Sequence, residues 1–159
     1  MQPWMEISIA VATPFVVMTI TRPSKEDVEA EWYTSLKRPF FYPPKWMFSP
    51  LWVTVNASAG YASYLAWKDG GEDATQALIT YGGSLLTIAI WPIIVFRTKS
   101  LGLATLDSLA GTALAAIYHP IFARINLTAG RLSSIPLIWS IYCSYITFSL
   151  WRDQVNKRK

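Results

Sequence analysis

Long stretches without charge are the feature of this 159-residue chain that most restricts its fold. Four of them, residues 7–21, 46–67, 74–96 and 132–151, contain no Asp, Glu, Lys or Arg, and a fifth, residues 101–123, adds only Asp107 and His119. A helix rises roughly 1.5 Å per residue, so about 20 apolar residues cross the core of a bilayer. With 52% hydrophobic and 15% charged residues, the composition excludes an ordinary soluble domain. We therefore predict an all-α integral membrane bundle of five transmembrane helices.

The predicted spans are residues 4–21, 46–67, 74–97, 101–123 and 132–151 of a single domain that covers residues 1–159. The first span is the shortest, contains Pro14, and has a cleaved signal peptide as its competing interpretation. The chain starts MQPWME and lacks the basic residues that begin a signal peptide, which favours a span. Short connections elsewhere make consecutive helices antiparallel neighbours.

The only long connection, residues 22–45, mixes aromatic and charged side chains. Long loops of this kind often act as lids or binding elements. Aromatic and cationic side chains are also favoured in a segment that rests on lipid headgroups. We predict a lid loop, and the two interpretations are compatible.

The basic residues are distributed unequally between the two sides of the predicted bundle. Eleven of the fourteen Lys and Arg fall in the first loop, the third loop and the C-terminal tail. Because Lys and Arg are enriched on the cytoplasmic side of membrane proteins, the first loop and the C-terminus are expected to be cytoplasmic. The basic composition is therefore an orientation signal, and we expect no nucleic-acid partner. On the other side lie only Lys68, Arg124 and Arg131.

Eight tryptophans are the most unusual component of the chain. Several lie at span ends, where tryptophan is favoured at the membrane surface. Three others lie inside spans, at depths that allow them to line one cavity open toward the first loop. Their indole faces suit a planar macrocycle or a fused-ring ligand, and plain core packing or lipid contact is the competing interpretation. The tryptophans at span ends are Trp4, Trp46, Trp67 and Trp151, and those inside spans are Trp52, Trp91 and Trp139.

Ionisable side chains inside the spans offer few catalytic candidates. His119 lies far along the fourth span from the interior tryptophans, so we expect a hydrogen-bonded histidine beside Pro120 and no metal site. Asp107 is expected to pair with Arg97 or Lys99, since membrane charges are usually paired; proton coupling is the alternative. The single cysteine, Cys143, excludes an internal disulfide. Small residues around Gly60 and Gly111 predict close helix packing, within the chain or across a dimer.

One segment carries a specific family resemblance. Residues 32–52, WYTSLKRPFFYPPKWMFSPLW, resemble the signature of the TspO/MBR family, which includes translocator proteins and tryptophan-rich sensory proteins. The resemblance implies a five-helix membrane bundle, often dimeric, that binds porphyrins, sterols and drug-like molecules in a pocket capped by the first loop. It implies a bacterial inner membrane or an organelle membrane such as the mitochondrial outer membrane. Residues spaced as in the family continue the match at Gly60, Trp67, Trp91, Pro92, Asp107, Arg131, Trp139 and 151–153.

Departures from the family pattern concern the third span. Where the family has Asn-Trp-x-Trp-Pro-Pro, this chain has Ile88-Ala89-Ile90-Trp91-Pro92-Ile93 and so lacks the Asn and one Trp. The sterol motif is also absent near Arg152, where Phe148 replaces its Tyr. These changes put the identity of the ligand in doubt, while the bundle itself is unaffected.

The leading hypothesis is a membrane protein that binds tetrapyrroles, and sterols as a further class, and acts as carrier, sensor or buffer. Under this hypothesis the protein requires no cofactor and has protoporphyrin or haem as its ligand. It is expected to contact the lipid bilayer and to form a homodimer. The alternatives are a light-dependent porphyrin-degrading enzyme and a membrane interaction subunit without a ligand. The predicted ligand contacts are Trp32, Tyr33, Pro43, Pro44, Trp46, Trp52, Trp91 and Trp139.

Overall fold

Five long helices make up most of the chain in the structure, a computed structural model that describes residues 2–157. The described residues contain no β-strand. Two short helices lie between the first and second long helix, and a π-helical turn follows the third. The elements are α1 (Pro3–Ile20), α2 (Lys25–Glu29), α3 (Glu31–Thr34), α4 (Lys45–Asp69), α5 (Gly71–Ile93), the π-turn (Ile94–Thr98), α6 (Leu101–Ile125) and α7 (Leu127–Lys157).

The helical membrane class is confirmed by the length and apolar composition of these helices. Among the described residues, α1, α5 with its π-turn, and α6 are each long and apolar enough to cross a bilayer. Large apolar side chains such as Ile79, Leu86 and Ile138 are exposed on the outer faces, where lipid chains would cover them. The count of five spans and their exact limits stay predictions.

Tight turns join the helices at the end of the bundle away from the first loop. Gly71 adopts φ +52° between α4 and α5, a left-handed conformation that glycine tolerates best. Between α6 and α7, the Asn126 side-chain oxygen accepts hydrogen bonds from the N–H groups of Thr128 and Ala129 at 2.8 and 3.0 Å. Its Nδ2 donates to Asp69 at 2.6 Å, which ties the two turns together.

The helices approach closely where small residues face one another. α6 packs against α5 and α7, and α4 packs against α1 and α7. Gly60 of α4 lies directly on the backbone of α1 at Ala10 and Val11, and Gly111 of α6 lies against Thr87 of α5. These contacts are within one chain, as one of the two interpretations of the small-residue rows predicted.

Two apolar clusters fill the bundle at different heights. The first closes the tight-turn end and includes the fully buried Ala62, Ala77, Phe122 and Ala129. The second lies beneath the first loop, where Leu36 packs with buried residues such as Val95 and Leu101. The space between the two clusters is the interior cavity of the protein.

The connection predicted as a lid loop, residues 22–45, contains the two short helices α2 and α3. α2 begins with a capping box, in which Ser24 and Asp27 exchange hydrogen bonds between side chain and backbone. The loop then folds back over the bundle end: Tyr142 of α7 donates a hydrogen bond to the carbonyl of Phe41, and Leu36 is 6% exposed. It is therefore a folded cover over this end of the bundle.

A candidate ligand cavity inside the bundle

A cavity of about 940 Å³ lies within the bundle beneath the first loop. All five long helices contribute to its wall, for example through Phe15 of α1, Trp52 of α4, Trp91 of α5, Gly111 of α6 and Trp139 of α7. Thr21, at the end of α1, and the loop residues 22–25, Val28, Tyr33 and Tyr42 complete the wall. The volume falls in the usual range of small-molecule sites, and the wall is mainly apolar and aromatic, as such sites are.

The three interior tryptophans share this cavity. Trp52 and Trp139 meet edge to face, with ring centroids 5.5 Å apart and an interplanar angle of 80°. Trp139 also contacts Tyr142 at 5.5 Å, and Trp91 stands on the wall formed by α5. Edge-to-face contacts hold aromatic rings in fixed orientations. The cavity therefore has broad, fixed indole surfaces on three helices.

A second aromatic group closes the cavity from above. Tyr33 lines the cavity and packs edge to face on Phe96 at 5.2 Å, and Trp32 packs on both of them from outside the wall. The Arg38 guanidinium lies 4.4 Å from the centre of the Tyr42 ring. Burial raises the pKa of Tyr33, with a further increase from Tyr42 and a smaller opposing effect of Arg38. The Tyr33 hydroxyl is therefore neutral.

The other predicted ligand contacts lie off the cavity wall. Trp32 supports Tyr33 from behind, Pro43 is buried in the loop, and Pro44 caps the start of α4. Trp46 is 73% exposed in the first turn of α4, because its position on the helix faces outward. The Pro43-Pro44 pair thus sets where α4 begins, and Trp46 belongs to the outer surface.

Many wall residues were not predicted as ligand contacts, among them Asn56, Met18 and Phe15. Asn56 is 2% exposed, its Nδ2 donates to the Trp52 carbonyl at 2.7 Å, and it contacts the Met18 sulfur at 2.8 Å. A polar residue in the middle of a span was the available signal for Asn56. Met18 and Phe15 of α1 gave no signal, because α1 is apolar on all sides and its sequence does not reveal which face is inward.

The predicted ion pair of Asp107 with Arg97 or Lys99 is wrong. Among the described residues the Asp107 carboxyl has no hydrogen bond or ion pair, although its Oδ2 is enclosed. The π-turn and the left-handed Lys99, with φ 53°, turn these cations away, and the Lys99 ammonium lies 5.9 Å from the Trp32 ring. The Trp139 Nε1 is likewise enclosed without an acceptor.

His119 does not line the cavity. Its Nδ1 is 2.8 Å from the Ser133 hydroxyl, as expected for a hydrogen-bonded histidine near the other end of α6. Within residues 2–157, no group of three His, Cys, Asp or Glu side chains is arranged to hold a metal ion.

Together, the fold and the cavity define an α-helical membrane protein with an aromatic chamber beneath a folded loop. Residues 8–152 match the model of the TspO/MBR family. The chain is 34% identical over 125 residues to the human protein named Translocator protein, covering 77% of this chain and 74% of the human one. It is 32% identical over 165 residues to Translocator protein 2 of Canis lupus familiaris, covering 98% and 91%. It is 25% identical over 127 residues to the Tryptophan-rich sensory protein of Cereibacter sphaeroides, covering 80% and 79%. The chain belongs to the TspO/MBR family.

Proposed function

We propose that the cavity binds a flat, largely apolar ligand, with a tetrapyrrole such as protoporphyrin or haem as the first candidate and a sterol as the second. The observation that carries the proposal is the convergence of Trp52, Trp91 and Trp139, from three helices, on one chamber of about 940 Å³. Indole surfaces of this kind suit a planar ring system, which buries large area against them.

The charge at the loop side of the cavity supports a ligand with acidic groups. Arg22 and Lys25 are the cationic residues on the described wall, and both belong to the segment that follows α1. Carboxylates form charge-assisted hydrogen bonds with such side chains. A tetrapyrrole would place its ring system among the tryptophans and its propionate groups beside these two cations.

The proposed role is that of a carrier, sensor or buffer in the membrane. The names of two relatives, Translocator protein and Tryptophan-rich sensory protein, support a role in translocation or in sensing. The proposal includes a cytoplasmic first loop and C-terminus, and association as a homodimer.

Titration of the purified protein with protoporphyrin IX, followed by tryptophan fluorescence, tests the proposal. We expect Trp52→Ala and Trp139→Ala each to weaken binding about tenfold or more, because each removes an aromatic contact and leaves a gap in the wall. Trp46→Ala is the matched control, since it removes an equal side chain from the outer surface and should bind as the wild type does. Equal affinity in all four proteins would refute the assigned cavity.

A further inference from the structure

Asp107 is the one carboxyl group on the described wall of the cavity. It stands on α6, about 9 Å along the helix from Leu101, and its Oδ2 is enclosed with no hydrogen-bond partner among the described residues. A buried polar group without a partner costs free energy, and a carboxyl inside a membrane protein is usually paired. The unpaired state of Asp107 therefore needs an explanation.

Two hydroxyls, that of Ser108 beside Asp107 and that of Thr147 against Ser108, are already in use as donors. The Ser108 hydroxyl donates to the Ala104 carbonyl at 2.9 Å, and the Thr147 hydroxyl donates to the Cys143 carbonyl at 2.9 Å. Each hydroxyl has a single proton, so neither can satisfy the carboxyl without giving up its present bond. The side chains around Asp107 leave its acceptor atoms unoccupied.

The cations of the cavity do not pair with Asp107 either. Arg22 and Lys25 stand on the segment after α1, and the Lys25 ammonium is 3.9 Å from the Glu29 carboxylate. In the described residues, neither cation forms an ion pair with Asp107. The cavity thus has positive groups on its loop side and a free carboxyl on α6.

We infer that Asp107 recognises a protonated nitrogen on the ligand, so that the site selects flat aromatic molecules with a cationic nitrogen. This inference rests on the proposed function, because it assumes that a planar ligand occupies the cavity. The nitrogen would supply the charge-assisted hydrogen bond that the protein lacks. The indole faces of Trp52 and Trp139 would add cation–π attraction at close range. An acidic substituent on the same ligand would pair with Arg22 and Lys25.

Two ligands of the same outline separate charge recognition from shape. 9-Aminoacridine is protonated at neutral pH, and 9-methylanthracene is an uncharged molecule with the same three fused rings. Binding of each to the purified protein is measured by quenching of tryptophan fluorescence. In Asp107→Asn, which keeps the size of the side chain, we expect the affinity for 9-aminoacridine to fall about tenfold or more. The affinity for 9-methylanthracene should change less than about threefold.

Two further variants serve as controls. Asp107→Glu keeps the negative charge and should retain the preference for 9-aminoacridine. Asp73→Asn removes a carboxyl from the exposed first turn of α5, outside the cavity, and should leave both affinities unchanged. This pair distinguishes a local effect of Asp107 from a change in the net charge of the protein.

The outcomes of this experiment and of the porphyrin titration can be told apart. Loss of 9-aminoacridine affinity in Asp107→Asn alone supports recognition by the carboxyl. An equal change for both ligands, or none for either, overturns it. If the wild type binds protoporphyrin but neither three-ring ligand, the inference fails and the proposed function stands. If Trp52→Ala and Trp139→Ala leave protoporphyrin binding intact, the assigned cavity itself is rejected.

Discussion

Gly60 is the residue on which the contact between α1 and α4 depends. A Cβ atom at this position would lie 2.6 Å from the carbonyl oxygen of Ala10 and 2.7 Å from the Cα of Val11. Both are backbone atoms, so a side-chain rotation cannot relieve the clash. We expect Gly60→Ala to destabilise the protein by about 1–3 kcal/mol, as overpacking of a close contact does. Thermal unfolding in detergent, followed by circular dichroism, measures the change.

Gly82 provides the matched control for this prediction. Nothing lies within 4 Å of a Cβ built at Gly82 in α5. Gly82→Ala should therefore leave stability unchanged or raise it by about 0.5–1 kcal/mol, because alanine favours the helix over the unfolded chain. Equal destabilisation by the two variants would contradict the role of close packing at Gly60.

The sequence predicted the surroundings of a residue where those surroundings depend mainly on its depth in the membrane. Counting along the spans placed Trp52, Trp91 and Trp139 at depths that allow them to line one cavity, and the structure puts all three on the cavity wall. The outward position of Trp46 depends on the rotation of α4, which spacing in a motif does not reveal. The environment of Asp107 depends on the π-turn after Pro92, for which the sequence carried no pattern.

The first loop and the last turns of α7 form a connected pair of elements. The Lys37 backbone N–H donates to Asp153 Oδ2 at 2.9 Å, and the Lys157 ammonium lies 3.2 Å from the same oxygen. Lys157 also donates to the carbonyl of Ser35. We expect Asp153→Ala to loosen the loop and to lower the hydrogen-exchange protection of the Lys37 amide several-fold, since local opening exposes that amide. Asp73→Ala, an equal charge change on another element, should leave this protection unaltered.

The same contact predicts a dependence on pH. The Lys37 N–H holds the pKa of Asp153 below its ordinary range, and the hydrogen bond and charge of Lys157 lower it further. A carboxyl whose folded pKa is lowered stabilises the closed loop above its ordinary pKa of about 3.9, and this is lost as the pH falls through the folded value. Protection of the Lys37 amide should therefore persist from neutral pH to about pH 5 and decline below about pH 4. A decline already at pH 6 would assign it to another group.

Among the elements, the long helices were predicted well from the stretches that lack charged residues. Each of the five apolar stretches coincides with one long helix of the structure, the first apart from Thr21 and the third together with its π-turn. The helices extend past the stretches into polar residues, and α7 reaches Lys157, because a helix that leaves the bilayer keeps its backbone hydrogen bonds. The short helices α2 and α3 were not predicted, since five and four residues are too few to show a helical apolar period.

The whole molecule presents most of its basic residues on the side of the first loop, and this predicts its orientation. We expect a fluorescent protein fused to the C-terminus to fluoresce in a bacterial host and alkaline phosphatase fused to the N-terminus to be active. Alkaline phosphatase at the C-terminus is the control and should be inactive. The opposite pattern would place the first loop outside the cytoplasm.

The apolar cluster at the tight-turn end packs that end of the bundle closely. Ala62, Ala77, Phe122 and Ala129 leave no space there, whereas the cavity lies on the side of the first loop. The cavity is therefore closed at the tight-turn end and does not form a channel through the bundle. A molecule that enters it cannot pass straight through, so any traffic across the membrane would need a change in the bundle as a whole. Without such a change, a molecule bound in the cavity would have to leave on the side from which it entered.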